Sequence, residues 1–175
     1  MKNNVQKLVF TAMFAALACV ATMVIKVPTL GTNGYVNIGD TIVLISAWLL
    51  KNPYGVIAAG FGSALADILS GYVVYAPGTF IIKALMAFLA CIIYNVLSKK
   101  APKVVAFIIS GIVAEVVMIA GYLVYEAFLL GYGVAAVTAV PSNGIQGGTC
   151  LALGLLLIIP LSKVPYVKTL TGDNK

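Results

Sequence analysis

Lys83 lies inside the apolar run Tyr75-Ala76-Pro77-Gly78-Thr79-Phe80-Ile81-Ile82-Lys83-Ala84-Leu85-Met86. Asp40, Asp67, Glu115 and Glu126 also fall within or at the edges of hydrophobic stretches. Ionisable groups at membrane depth are costly, so they line a substrate or ion path, or they pair with one another. Glu115 and Glu126 are eleven residues apart, close to three helical turns, and Tyr122 falls on the same stripe. Ser63 and Asp67 stand one turn apart on another segment. Asn143 and Gln146 share a face of a third, beside Gly147, whose missing side chain permits close backbone approach. Asn37 and Asp40 open a fourth. Carboxyl, amide, amine and phenol groups around an apolar floor suit a small, polar, aromatic molecule. A purely structural reading stands beside this one. Lys83 then neutralises Glu115 or Glu126, Asp40 and Asp67 cap helices or sit in headgroup water, and the tyrosines form an interfacial belt.

The elements that must position these groups are membrane helices. The chain of 175 residues is 62% hydrophobic and only 9% charged, against about a quarter charged in a soluble domain. The expectation is an all-α, six-helix membrane bundle forming one domain over 1–175, with spans near 5–27, 35–50, 53–69, 77–97, 103–130 and 140–161. The first apolar run is too long for a signal-peptide core and reads as a span. With six spans, Lys2, Lys7, Lys51, Lys99, Lys100, Lys103, Lys163, Lys168 and Lys175 share a side, and the opposite loops carry only Lys26. The positive-inside rule then puts both termini in the cytoplasm. Lys83 sits about six residues into its span, roughly 9 Å below the outer boundary at 1.5 Å per residue. The polar groups named above all fall in the outer half.

Several functions are excluded or made improbable by composition. The chain has no His and no Arg, which argues against His-based catalysis, His metal sites and bidentate phosphate clamps. Walker motifs, phosphate-cradling glycine loops and metal-ligand spacings are absent. No catalytic residue, metal or cofactor is expected, and no nucleic acid, because basic stripes with interleaved aromatics are missing. Cys19, Cys91 and Cys150 lie in apolar runs and read as small hydrophobes. Ala12 and Ala16 form an AxxxA step, with Ala15 and Cys19 beside it, that permits close helix contact within the bundle or with a partner.

The stretches Gly34-Tyr35-Val36-Asn37-Ile38-Gly39-Asp40-Thr41, Pro53-Tyr54-Gly55, Gly62-Ser63-Ala64-Leu65-Ala66-Asp67-Ile68-Leu69-Ser70-Gly71-Tyr72 and the run around Lys83 resemble the substrate-binding S components of energy-coupling factor (ECF) vitamin transporters. The resemblance is strongest over about 34–90. It implies a six-helix bundle in the plasma membrane of a prokaryote that captures a vitamin at the outer face. The bundle then docks on a membrane-embedded coupling protein (T component) carrying two ABC-type ATPases, which hydrolyse the ATP. By this resemblance Ala12 and Ala16 form the docking step, the loop near 28–36 is a lid, and Lys83, Glu115, Tyr122, Glu126, Asn143 and Gln146 line the pocket. Asn37 and Asp67 join them as substrate-binding candidates. The central segment is most similar to the subgroup of hydroxymethylpyrimidine, pyridoxine and riboflavin S components, in that order of expectation. The competing reading is a free-standing proton-coupled carrier using Glu115, although no inverted repeat is visible.

Overall fold

The computed structural model describes residues 4–29 and 31–165. Lys2, Lys168 and Lys175, used above to orient the chain, lie outside the described residues. Six α-helices follow in order: α1 (Asn4–Val24), α2 (Asp40–Leu50), α3 (Tyr54–Leu69), α4 (Ala76–Leu97), α5 (Lys103–Val124) and α6 (Val140–Leu161). Between α1 and α2 runs an antiparallel hairpin, β1 (Lys26–Pro28) and β2 (Tyr35–Asn37), with Val27 opposite Val36. The bundle is therefore helical apart from one small hairpin. A single π-helical turn, Tyr125–Leu129, extends α5, and a 3-10 segment, Gly133–Ala139, leads into α6. Pro77 and Pro141 stand in the first turns of α4 and α6, where a missing N–H costs nothing.

Among the described residues, four helical stretches are long and apolar enough to cross a membrane: Asn4–Val24, Ala76–Leu97, Lys103–Leu129 and Gly133–Leu161. The helices α2 and α3 are shorter, at 11 and 16 residues. The predicted second segment began at Tyr35, but residues 35–37 form strand and the helix starts only at Asp40. The predicted first segment likewise reached Val27, and α1 stops at Val24 where β1 takes over. The physical cause is Asn37, whose side chain accepts the Gly39 N–H at 2.8 Å and closes a local turn that competes with helix.

The delayed start has a consequence for burial. Every residue of α2 except Ile42 is buried. A helix apolar on all sides belongs in a protein core or a membrane rather than against water, and α2 packs on α1, α3, α4 and α6. Trp48, in its last turn, is tilted against Phe107 with ring centroids 5.0 Å apart and donates its indole N–H to Ser110 at 3.0 Å. Val43, Leu44, Met86, Met118 and Ile158 complete this core. The outer surface carries Leu8, Phe61, Leu65, Ile81, Phe88, Val116 and Leu156, as expected of helices that face lipid.

A close helix seam joins α1 to α3. A methyl on Gly62 would collide with the Ala15 carbonyl and come within 2.9 Å of the Ala18 methyl. The close contact thus uses Ala15 and Ala18, while Ala12 and Ala16 are exposed along an apolar groove beside the seam. Overpacking such a seam costs about 1–3 kcal/mol. Gly62→Val should lower the unfolding temperature of the purified protein in detergent, and Ala16→Val should leave it unchanged; equal effects would place Ala16 in the core.

Candidate functional site

The site begins with an ion pair. Lys83 from α4 reaches Asp40 at the first turn of α2, Nζ to Oδ1 2.5 Å, with side chains 3% and 0% exposed. Neither Glu115 nor Glu126 is the counter-charge, which corrects the expected pairing. Asp40 does not cap its helix or meet headgroup water either, because β2 and Gly39 precede it and α2 starts inside the bundle. The Lys83 ammonium also lies over the Tyr122 ring, 5.1 Å from its centroid, a favourable placement for a desolvated cation.

Gln146 of α6 holds the pair in place. Its Nε2 donates to Asp40 Oδ2 at 2.6 Å, and its Oε1 accepts the backbone N–H of Asn37 at 2.7 Å. One amide therefore links the hairpin, the charge pair and α6. Cys150, one turn further along α6, is packed near the same strand, with Sγ 3.5 Å from the Asn37 carbonyl.

Beside the ion pair, toward the hairpin end of the bundle, lies a cavity of about 20 Å³, room for one or two waters. The expected residues Asn37, Asp67, Lys83, Tyr122, Glu126, Asn143 and Gln146 all line it. Glu115 does not; it is buried against α6, where a methyl on Gly147 would come within 3.1 Å of its Cβ and Oε2. Both Glu115 oxygens are buried without a hydrogen-bond partner, within electrostatic reach of Asp40 and Lys83. The even stripe expected along α5 is altered by the π-helical turn, a feature that often re-aims side chains at functional sites. Here it buries Glu126 among Gly34, Tyr75 and the cavity wall.

The hairpin covers this cavity and is fastened by side chains. Tyr35 donates to Asp67 Oδ1 at 2.6 Å, and Tyr75 donates to Glu126 Oε1 at 3.0 Å. Thr79 and Tyr122 share a hydrogen bond of 2.9 Å, and Thr29 and Thr32 one of 2.8 Å across the hairpin turn. Further out, the rings of Tyr35 and Tyr72 lie 4.4 Å apart and those of Tyr72 and Tyr75 6.4 Å apart. Tyr35, Tyr75 and Thr79 are the participants that sequence reasoning did not select, and Asp40 and Ser63 were among the converging polar groups but not among the expected pocket residues. Asp40 had a signal: a lysine inside an apolar helix requires an acid, and Asp40 opens an equally apolar one.

A lipid-facing helical bundle with a covered polar cavity at one end has the form of a membrane protein built to hold a small molecule. The chain belongs to the family described as "ECF-type riboflavin transporter, S component", whose model matches residues 2–163. ECF S components are vitamin-transporter subunits that work with a T component and ATPases; this is a transporter family and not an enzyme class. The fold agrees with a solved structure described as "Structure and mechanism of the S component of a bacterial ECF transporter", at TM-score 0.69 and 25% identity, covering 91% of this chain and 97% of that one. A relative from Pyrococcus woesei, described as "Uncharacterized protein in gap 3'region", is 32% identical over 135 residues, or 77% of this chain and 87% of the relative.

Removing one member of a buried pair strands the other charge, at a cost of about 3–5 kcal/mol. Lys83→Met should therefore lower the unfolding temperature strongly, and adding Asp40→Asn, which keeps an acceptor for Gln146, should recover most of the loss. Equal stability of the single and double variants would show that the pair does not hold the bundle together.

Proposed function

We propose that this chain captures a water-soluble vitamin in the cavity beneath the hairpin and hands it to the cytoplasm when docked on a T component and two ABC-type ATPases. The observation that carries this reading is the cavity itself, where seven residues selected for their chemistry meet, from six separate elements. The ATP is hydrolysed by the partner subunits. All six helices serve as spans, with α2 and α3 completed by the hairpin and the adjoining loops. The hairpin end faces outward in the plasma membrane of a prokaryote. Lys7, Lys51, Lys99, Lys100, Lys103 and Lys163 belong to the opposite end, which supports cytoplasmic termini by the positive-inside rule.

Hydroxymethylpyrimidine or pyridoxine is the favoured ligand, with riboflavin next. The family description favours riboflavin. The cavity's small volume favours a one-ring vitamin, because less of the hairpin and its tyrosines must move to admit it. Docking would use Ala12 and Ala16. Both are exposed along an apolar groove formed with Leu65, Pro77 and Phe80, so a partner helix could approach their backbone closely.

A thermal-shift panel of water-soluble vitamins on the purified chain tests the substrate. A saturating ligand stabilises by RT ln(1 + [L]/Kd), about 2.7 kcal/mol at a hundredfold excess over Kd, and a shift with pyridoxine or hydroxymethylpyrimidine is expected. Replacing Ala12 and Ala16 by tryptophan should abolish uptake in cells while binding to the purified chain persists. Loss of binding in that variant would mean that this face of α1 supports the cavity instead.

A further inference from the structure

The hydrogen-bond inventory of the cavity is unbalanced. Its charged and phenolic donors are already used: Tyr35 on Asp67, Tyr75 on Glu126, and Lys83 and Gln146 on Asp40. The amides of Asn37 and Asn143 keep neutral N–H donors on the wall, while the buried atoms without a partner there are mostly acceptors. Asp67 Oδ2, Glu126 Oε2 and Ser63 Oγ are each buried without a hydrogen-bond partner, on residues 3%, 2% and 1% exposed. The hydroxyls of Thr79 and Thr32 stand close to Asp67 and Glu126. Each carries a single proton and is also engaged with Tyr122 or Thr29. A carboxylate offers about four lone-pair positions, so these neighbours leave acceptor capacity at both groups. Buried polar atoms in folded proteins are nearly always paired, and both oxygens belong to residues that line the cavity.

The charge count points the same way. Lys83 is the only cationic side chain among the lining residues, and Asp40 holds it. An entering anion would face Asp67 and Glu126, with Glu115 and Asp40 behind them. To gain a cationic partner it would have to pull Lys83 away from Asp40, leaving a buried carboxylate uncompensated.

We infer that Asp67 and Glu126 set the ligand class: the cavity takes a neutral or cationic heteroaromatic molecule bearing hydroxyl or amine donors and rejects the same ring carrying a carboxylate or phosphate. Asp67 Oδ2 and Glu126 Oε2 receive the ligand's donors, and Ser63 completes the acceptor wall. This inference rests on the reading that the cavity is the vitamin site, and it adds what that reading leaves open, the basis of selection.

Matched ligand series test it by isothermal titration of the purified full chain. One series is pyridoxamine, pyridoxine and 4-pyridoxate; a second is the aminomethyl, hydroxymethyl and carboxy forms of 4-amino-2-methylpyrimidine; a third is riboflavin and its 5′-phosphate. In whichever series binds, the amine or alcohol should bind at least about tenfold more tightly than the anion, since rejection here leaves buried groups unpaired. Asp67→Asn and Glu126→Gln keep the shape but replace an acceptor by a donor. Each should weaken the amine or alcohol by about tenfold or more and narrow its advantage over the anion, in protein whose ligand-free unfolding temperature is close to wild type. An anion binding the wild type as well as its neutral counterpart overturns the inference and leaves vitamin capture standing. Wild-type affinities in both folded variants overturn it equally. If a variant does not fold, the wild-type series decides. Silence from all three series overturns the substrate reading itself, and the inference with it.

Discussion

The structure depends on one constraint: a lysine ammonium and an aspartate carboxylate held 2.5 Å apart where neither meets water. Separating either charge from its partner in such surroundings costs several kcal/mol, so the two must be brought together wherever the chain places them. Lys83 is fixed by α4, one of the long apolar helices. Asp40 meets it only because α2 begins late, inside the bundle, after the hairpin has turned the chain back. The shortness of α2, the local turn at Asn37 and the position of Gln146 are all coupled to this meeting.

The coupling reaches function through the hairpin. Gln146 grips Asp40 with its amide nitrogen and the Asn37 backbone with its oxygen, so the cover is tied to the charge pair below. Tyr35 and Tyr75 add fastenings from the hairpin and α4 to the carboxyls of α3 and the turn after α5. A ligand that engages those carboxyls competes for the groups that close the cavity. On the proposed function, binding and the position of the cover are two descriptions of one hydrogen-bond network.

Much of this was legible in the sequence, and the limits are instructive. Helix number and approximate position followed from long apolar runs, because a chain in lipid must satisfy its backbone internally. Asn37, Asp67, Lys83, Tyr122, Glu126, Asn143 and Gln146 stood out because each is polar where an apolar residue is the default, and all line one cavity. The partner of Lys83 was misassigned because helical spacing orders residues along one helix and does not say which acid of the other helices meets the lysine. The hairpin was hidden for a different reason: Tyr35-Val36-Asn37 is too short to show alternation beside a helix of similar composition. Glu115 shows the reverse case: it lies on α5 as the sequence implies, yet the close approach of Gly147 places it behind the cavity, apart from Tyr122 and Glu126.

The central claim is that the cavity under the hairpin is where the vitamin binds and that its carboxyls make the contacts. The most direct measurement is a crystal structure of the chain saturated with the compound giving the largest thermal shift. The account predicts that ligand between the hairpin and the Lys83–Asp40 pair, with its donors within hydrogen-bond distance of Asp67 and Glu126. Ligand density on the exposed groove beside Ala12 and Ala16, or in the cavity but contacting neither carboxyl, would contradict it.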